Sequence, residues 1–284
     1  MGRIGMRRIE VIRFGIFWLV LLFASSVTAE EASQTCSDEV MRVVGKRLGV
    51  SDFRHERDGG VVVSAACKRW PFNGDMIFAF AYGASESPDF VRHFVVGTID
   101  ADVQRVLTIY EAEVIEGPPV QFGEESLRID TARYQLSTNS RAFGVRFHNI
   151  GRVPSCAEGS ANDALMLFAP HREQLRFIVG VQMLVQRALS ESFCHGAHGV
   201  KWEDAGLVFG VEEIGNSGHA DIVLTARIST YGWNEAGKEL DFSRESRIEI
   251  QRLRYAKEGY KVVGTRKWWL VGGWVLGDDG LLKE

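Results

Sequence analysis

Residues 126–148 read Ser126-Leu-Arg-Ile-Asp-Thr-Ala-Arg-Tyr-Gln-Leu136, then Ser137-Thr138-Asn139-Ser140, then Arg141-Ala-Phe-Gly-Val-Arg-Phe-His148. In the second arm Phe143, Val145 and Phe147 alternate with Gly144, Arg146 and His148. A period of two puts one face in a core and the other in water, which is the mark of a half-buried strand. The four small polar residues between the arms are turn formers, so the stretch predicts a β-hairpin.

The same signature extends in both directions. Upstream, residues 61–66 follow the turn Asp58-Gly59-Gly60, residues 75–82 are rich in Ile, Phe and Tyr, and 90–99 with 103–114 form a hairpin around Asp100-Ala101-Asp102. Gly117-Pro118-Pro119 interrupts the pattern. Downstream, strands are expected at 164–169 and 175–185, with 182–190 open between strand and short helix. Residues 206–214 and 220–231 flank Gly215-Asn216-Ser217-Gly218 as another hairpin, and 260–263 pairs back on 247–255. Within 247–255, Ile248 and Ile250 occupy one parity and Leu253 and Tyr255 the other. A β-bulge near Gln251 would reconcile them.

One helix is expected. Ser37 is a suitable N-cap, Asp38 and Glu39 suit the first turn, Val40, Val44 and Leu48 repeat every four residues, and Gly49 ends the run. The chain is therefore mainly β and antiparallel, as a sandwich, a barrel or a propeller-like ring, with one short N-terminal helix. The loop 151–163, rich in small and polar residues, is the candidate boundary between two halves of a β-rich domain over 30–264. Residues 265–284 form an aromatic C-terminal segment. Its apolar stretch 268–276 is too short to span a bilayer. It reads as a final strand docked on the core, or as an exposed aromatic contact surface.

The amino terminus gives an address. Arg3, Arg7, Arg8 and Arg13 precede an apolar run of about 11 residues, and Val27-Thr28-Ala29 supplies small residues before Glu30. Residues 1–29 therefore read as a cleaved signal peptide, which predicts a periplasmic or secreted protein without stable membrane insertion. The segment carries four arginines and one acid, Glu10, so its removal takes the net charge from −4 to −7. That balance argues against a nucleic-acid binder and favours a cationic partner. All four cysteines, Cys36, Cys67, Cys156 and Cys194, lie downstream of residue 29. In an oxidising compartment they predict two disulfides. The pairing Cys36–Cys67 with Cys156–Cys194 joins nearer neighbours; the other two pairings stay open.

Catalytic signatures of the HExxH, GxSxG, SxxK and P-loop kinds do not occur in the sequence. Cys194-His195-Gly-Ala-His198 is the densest set of metal-capable side chains, yet a disulfide would consume its thiolate, so it reads as a polar loop and no metal or other cofactor is expected. Trp70 follows Cys67, and Trp233 lies in Tyr231-Gly-Trp233-Asn234. Both are turn aromatics that would either bind a partner or cap the β core. With His195 and His198 they are the candidate binding residues.

Two resemblances follow from these residues. Ser126–Leu136 with Arg141–Phe147 resembles a recurring pattern in uncharacterised exported proteins of Gram-negative bacteria, over about half the mature chain. Gly218, Asp221 and Ile222 in Glu213–Leu224 resemble the end of an FG-GAP calcium loop, but Gly215 and Ser217 stand where acids are expected, so the loop is degenerate and reads as a hairpin turn. Some exported β proteins with such loops inhibit lysozyme-like enzymes. The export signal, the expected disulfides, the strand-rich pattern and the missing catalytic signatures predict a non-enzymatic binding protein with a protein partner in the periplasm; the resemblance implies its sharpest form, an inhibitor or immunity protein against a cell-wall hydrolase. Residues 151–163, 195–200 or 232–240 would supply the inserting loop. The alternatives are a secreted hydrolase with a dispersed site, for which His148 or His219 beside an acid would be the sign, and an envelope structural factor.

Overall fold

The computed structural model describes residues 34–84, 88–118, 120–152, 159–189, 201–215, 217–233, 239–240, 246–256 and 259–271. The expected signal peptide, Cys156, Cys194, His195, His198 and everything beyond residue 271 lie outside the described residues.

The helix α1 (Asp38–Leu48) forms where its sequence asks for it. Ser37 accepts a hydrogen bond from the Val40 N–H at 3.4 Å, and Gly49 closes the last turn in the left-handed region at φ 73°. A four-stranded antiparallel sheet follows, in order β1 (Val62–Arg69), β2 (Met76–Tyr82), β3 (Val91–Ile99) and β4 (Val106–Ile115). The second sheet holds β5 (Leu127–Ser137), β6 (Ser140–His148), β7 (Gly159–His171), β8 (Gln174–Ala188), β9 (Lys201–Ile214), β10 (Ala220–Trp233), β12 (Arg247–Ala256) and β13 (Gly259–Val263). The two-residue β11 (Glu239–Leu240) adds to the end of β10. All pairings within the sheets are antiparallel.

The layers follow from which parity of each strand is apolar. In β2, Phe78, Phe80 and Tyr82 pack toward Val40, Met41 and Val44 of α1, while Ile77, Ala79 and Ala81 face Phe143, Val145 and Phe147 of β6. In β7, Ala164, Met166 and Phe168 join that second layer, while Leu165, Leu167 and Ala169 face Ile222, Leu224 and Ala226 of β10. The large sheet thus folds back over itself, and its own strands pack across the interior. β8 and β9 pair only along Leu184–Ala188, and beyond that short ladder they diverge. The roll stays open, with one bridge, Ser137 to His219, spanning from β5 to the start of β10. The architecture is an all-β sandwich of two antiparallel sheets carrying one helix, so of the three expected arrangements the closed barrel and the propeller-like ring are not formed. No described helix is long and apolar enough to cross a membrane.

Several local expectations change. Residues 182–188 are strand, part of β8, because Val185 packs inward while Gln186 and Arg187 bond to β9. β7 begins at Gly159, so the later part of the 151–163 stretch is ladder rather than loop. No bulge occurs near Gln251: β12 keeps unbroken register with β10 from Arg247 to Leu253. Ile248 and Ile250 instead point outward, 66% and 54% exposed, and the inward positions beside Leu253 hold Glu249 and Gln251.

Those inward polar side chains have partners at the end of β13 and in the segment that follows it. Gln251 Nε2 donates to the Val263 carbonyl at 2.8 Å, and its Oε1 accepts the Lys267 N–H at 3.2 Å. Trp269 Nε1 donates to Glu249 Oε2 at 3.1 Å. Trp269 and Leu270 are buried in the rolled core. The start of the aromatic segment docks on the core as expected, but as an irregular turn rather than a strand.

Candidate functional site

The antiparallel registers place the ends of six strands at one edge of the large sheet. His148 opposes Asp163, Gly159 opposes Arg187, Ala188 and Tyr231 both oppose Trp202, and Arg247 opposes Ile228. The β6–β7, β8–β9 and β10–β12 connections therefore all leave the sheet at this end. Each is longer than a tight hairpin, whereas β5–β6 and β7–β8 turn within two residues.

Two polar networks cap the strands there. On the inward face the Glu203 carboxylate, its side chain only 6% exposed, accepts from Arg187 Nη2 at 2.6 Å and Nε at 3.0 Å, and from Arg247 Nη1 on its other oxygen. Burial pushes this carboxyl up, but the Arg247 and Arg187 bonds outweigh it and hold Glu203 below the usual carboxylate range. Arg247 continues to Glu249, which also holds Trp269 and the Lys267 ammonium. The Arg187 guanidinium lies 3.9 Å from the centre of the Trp268 ring, as a cation–π contact.

On the opposite face Gln186 is the hub. Its Nε2 donates to Asp204 Oδ1 at 3.1 Å and to the Tyr231 hydroxyl, and its Oε1 faces the Ser160 hydroxyl at 3.4 Å. Burial is the main reason the Tyr231 hydroxyl is pushed up to about 12, with the Asp204 charge and hydrogen bond adding to it. Burial also raises Asp204 above its ordinary value, against the Gln186 and Tyr231 bonds. Nearby, His148 Nδ1 sits 2.6 Å from Asp163 Oδ1, with both side chains largely in water.

Chemically, the inward network is spent on itself. Its carboxylates are held as anions by guanidinium groups, which suits a rigid platform better than a proton-transfer site. His148 is the exception: with Nδ1 turned to Asp163, its Nε2 is directed away from the carboxylate.

The expected binding residues fare differently. Trp70 is buried, edge-on to Phe143 at 5.3 Å, and serves the core rather than a surface. Trp233 is the last residue of β10, at the loop-bearing end; its side chain lies outside the described residues. Cys36 and Cys67 form the expected disulfide beneath α1. The FG-GAP-like stretch is the β9–β10 hairpin, with Gly218 at φ 77°. Its Asp221 is engaged by Arg254 at 3.2 Å. Among the described residues no group of three His, Cys, Asp or Glu side chains is placed to hold a metal ion. Sequence reading missed Gln186, Glu203, Asp204 and Arg247, because single polar residues at strand ends have no motif. The one available signal was the Glu203-Asp204 pair just before the apolar run that starts at Ala205.

Comparison with protein-family models, with curated proteins and with solved structures finds no significant match to this chain.

Proposed function

We propose that the protein is an exported, periplasmic binding protein that engages a protein partner with the loop-bearing end of its large sheet. The observation that carries this is the grouping of three long connections at one end, seated on strand ends tied together by the Glu203 and Gln186 networks. Loops on a rigid scaffold are the usual recognition arrangement, because the scaffold limits the ordering entropy lost on binding. The mature net charge of −7 supports a cationic partner. The sharpest form is an inhibitor or immunity protein against a basic cell-wall hydrolase.

The test is crosslinking in the native envelope with a C-terminally tagged chain, followed by binding of the purified candidate to wild type and to His148→Ala/Asp163→Ala. One enriched envelope protein whose binding weakens in the variant is the expected result. Absence of any enriched protein, or binding that survives replacement of all three connections, overturns the proposal.

A second reading rests on the His148–Asp163 pair, whose Nδ1-to-carboxylate geometry is that of an oriented general base. Hydrolysis of a cell-wall or ester substrate that is abolished in His148→Ala, with folding intact, would favour it over the binding role.

A further inference from the structure

At the opposite end of the molecule, the turns β1–β2, β3–β4 and β7–β8 border a cavity of about 550 Å³. Three arginines line it: Arg47 from the last turn of α1, Arg105 from the β3–β4 turn and Arg172 from the β7–β8 turn. Most of the described arginines are tied down, as in the pairs of Arg92 with Glu116, Arg146 with Asp130 and Arg252 with Glu212. None of these three guanidinium groups has an ion-pair or hydrogen-bond partner among the described residues. Three guanidinium groups lining one cavity without a direct ion pair present many unused donors there.

The backbone adds an independent observation. The only described non-glycine residues with positive φ are Val103 at 57° and Arg172 at 58°. They lie in the two turns that deliver Arg105 and Arg172. A left-handed conformation is disfavoured for both, and for β-branched Val103 it is a marked outlier. Such strain persists where surrounding structure enforces it, and it gathers at ligand sites. In the β3–β4 turn the enforcement is visible: Asp100 Oδ1 accepts the backbone N–H groups of Gln104 at 2.7 Å and Arg105 at 3.3 Å. That carboxylate is therefore spent on the turn and leaves the Arg105 guanidinium free.

The remaining walls indicate what else the ligand carries. Asp75 and Glu173 bring carboxylates into the same cavity, and Asp75 is steadied by Asn73 Nδ2 at 2.5 Å. A bare anion would be repelled by them. A ligand with hydroxyl donors beside its acidic group would satisfy both sets. Val106, Ile109 and Pro170 supply an apolar wall for the C–H face of a ring, and the volume suits a small ligand.

We propose that this cavity binds an anionic sugar, its acidic group held by Arg47, Arg105 and Arg172 and its hydroxyls donating to Asp75 and Glu173. This site is separate from the partner-binding end, and neither proposal depends on the other.

Isothermal titration of the mature protein with glucose 6-phosphate, glucuronic acid, inorganic phosphate and glucose tests it. At least one of the two acidic sugars is expected to bind about tenfold or more tighter than both glucose and phosphate. The tighter of the two identifies the acidic group as phosphate or carboxylate. Arg105→Ala should weaken binding about tenfold. Arg172→Gly should do the same while keeping or raising the melting temperature, since glycine accepts φ 58° without strain. Arg227→Ala, on β10 away from the cavity, should bind as wild type. No saturable heat with either acidic sugar at about 10 mM, equal affinity for glucose or phosphate, or unchanged affinity in both Arg105→Ala and Arg172→Gly overturns the proposal.

Discussion

Removing the Cys36–Cys67 disulfide should destabilise the protein by about 4 kcal/mol. The bond joins residues 31 apart. Closing a loop of that length withdraws about 12 cal/mol/K of entropy from the unfolded chain, or roughly 3.7 kcal/mol at 25 °C. The native side adds little strain on removal, because both cysteines are buried among apolar side chains and alanine fits the same positions. For a chain of this size each kcal/mol moves the melting temperature by roughly 2–4 °C, so Cys36→Ala/Cys67→Ala should melt about 8–15 °C lower. The assay is thermal melting of wild type and double variant, each with and without reductant. Reductant should bring wild type at least down to the untreated variant. Any further drop that reductant causes in the variant reads out the expected Cys156–Cys194 bond, which closes a loop of similar length and similar worth. A wild-type melting temperature unchanged by reductant, or a variant within about 2 °C of wild type, would refute the loop-entropy reasoning.

Trp269→Ala should lose about 3–5 kcal/mol in chemical denaturation, since it empties a fully buried indole site and strips Glu249 of a donor; a loss below about 1 kcal/mol would mean the segment does not dock in solution. Ile250→Thr should change stability by no more than about 0.5 kcal/mol, because the side chain faces water; a large loss would restore the bulge at Gln251. Gly97→Ala should cost about 1–3 kcal/mol, as a Cβ there collides with the Phe78 ring and the Thr108 carbonyl. Burial pushes Asp130 up, but the Ala132 N–H, the Arg146 guanidinium and the Tyr134 hydroxyl together hold it below its ordinary range. A depressed native value gives stability that is present above the unfolded carboxylate range and is lost as pH falls through the native value. Asp130→Asn should therefore be less stable at neutral pH and flatten the acid limb of a denaturation-midpoint profile; an unchanged acid limb would show that the network does not set it.

How much of this was legible depended on where each strand sits. The 126–148 hairpin was readable because β6 alternates cleanly between Phe143, Val145, Phe147 and their polar neighbours. The helix was readable because its cap, first-turn acids and closing glycine agree. The layering was not. β2 and β7 are buried on both faces, so Met76–Tyr82 and residues 164–169 read as continuous apolar runs, and such runs do not say which side faces which layer. β12 misled for the opposite reason. Its exposed face carries Ile248 and Ile250 while its buried face carries Glu249 and Gln251, which inverts the usual code. Only the cover over that face explains the inversion, and it comes from residues 263–271, beyond the strand itself. The candidate site was least legible of all, because Arg187, Glu203 and Arg247 meet only through register, each from a different strand.

The inverted strand also bears on function. A sheet face closed by another strand would usually be met by apolar side chains. Here an irregular segment closes it, and its backbone and indole groups need specific partners: Gln251 takes Val263 and Lys267, and Glu249 takes Trp269. Inward polar residues at these positions therefore fix where the segment sits. The same chain of bonds continues from Glu249 through Arg247 and Glu203 to Arg187, and Arg187 stacks on Trp268 of that very segment. The network closes on itself, and displacing Arg187 or Arg247 leaves the buried Glu203 carboxylate short of a partner, which is unfavourable. Such closure ties the ends of β8, β9 and β12 together. The proposed partner-binding role draws on this fixed platform, since rigid strand ends limit the scaffold's own share of the ordering entropy lost on binding.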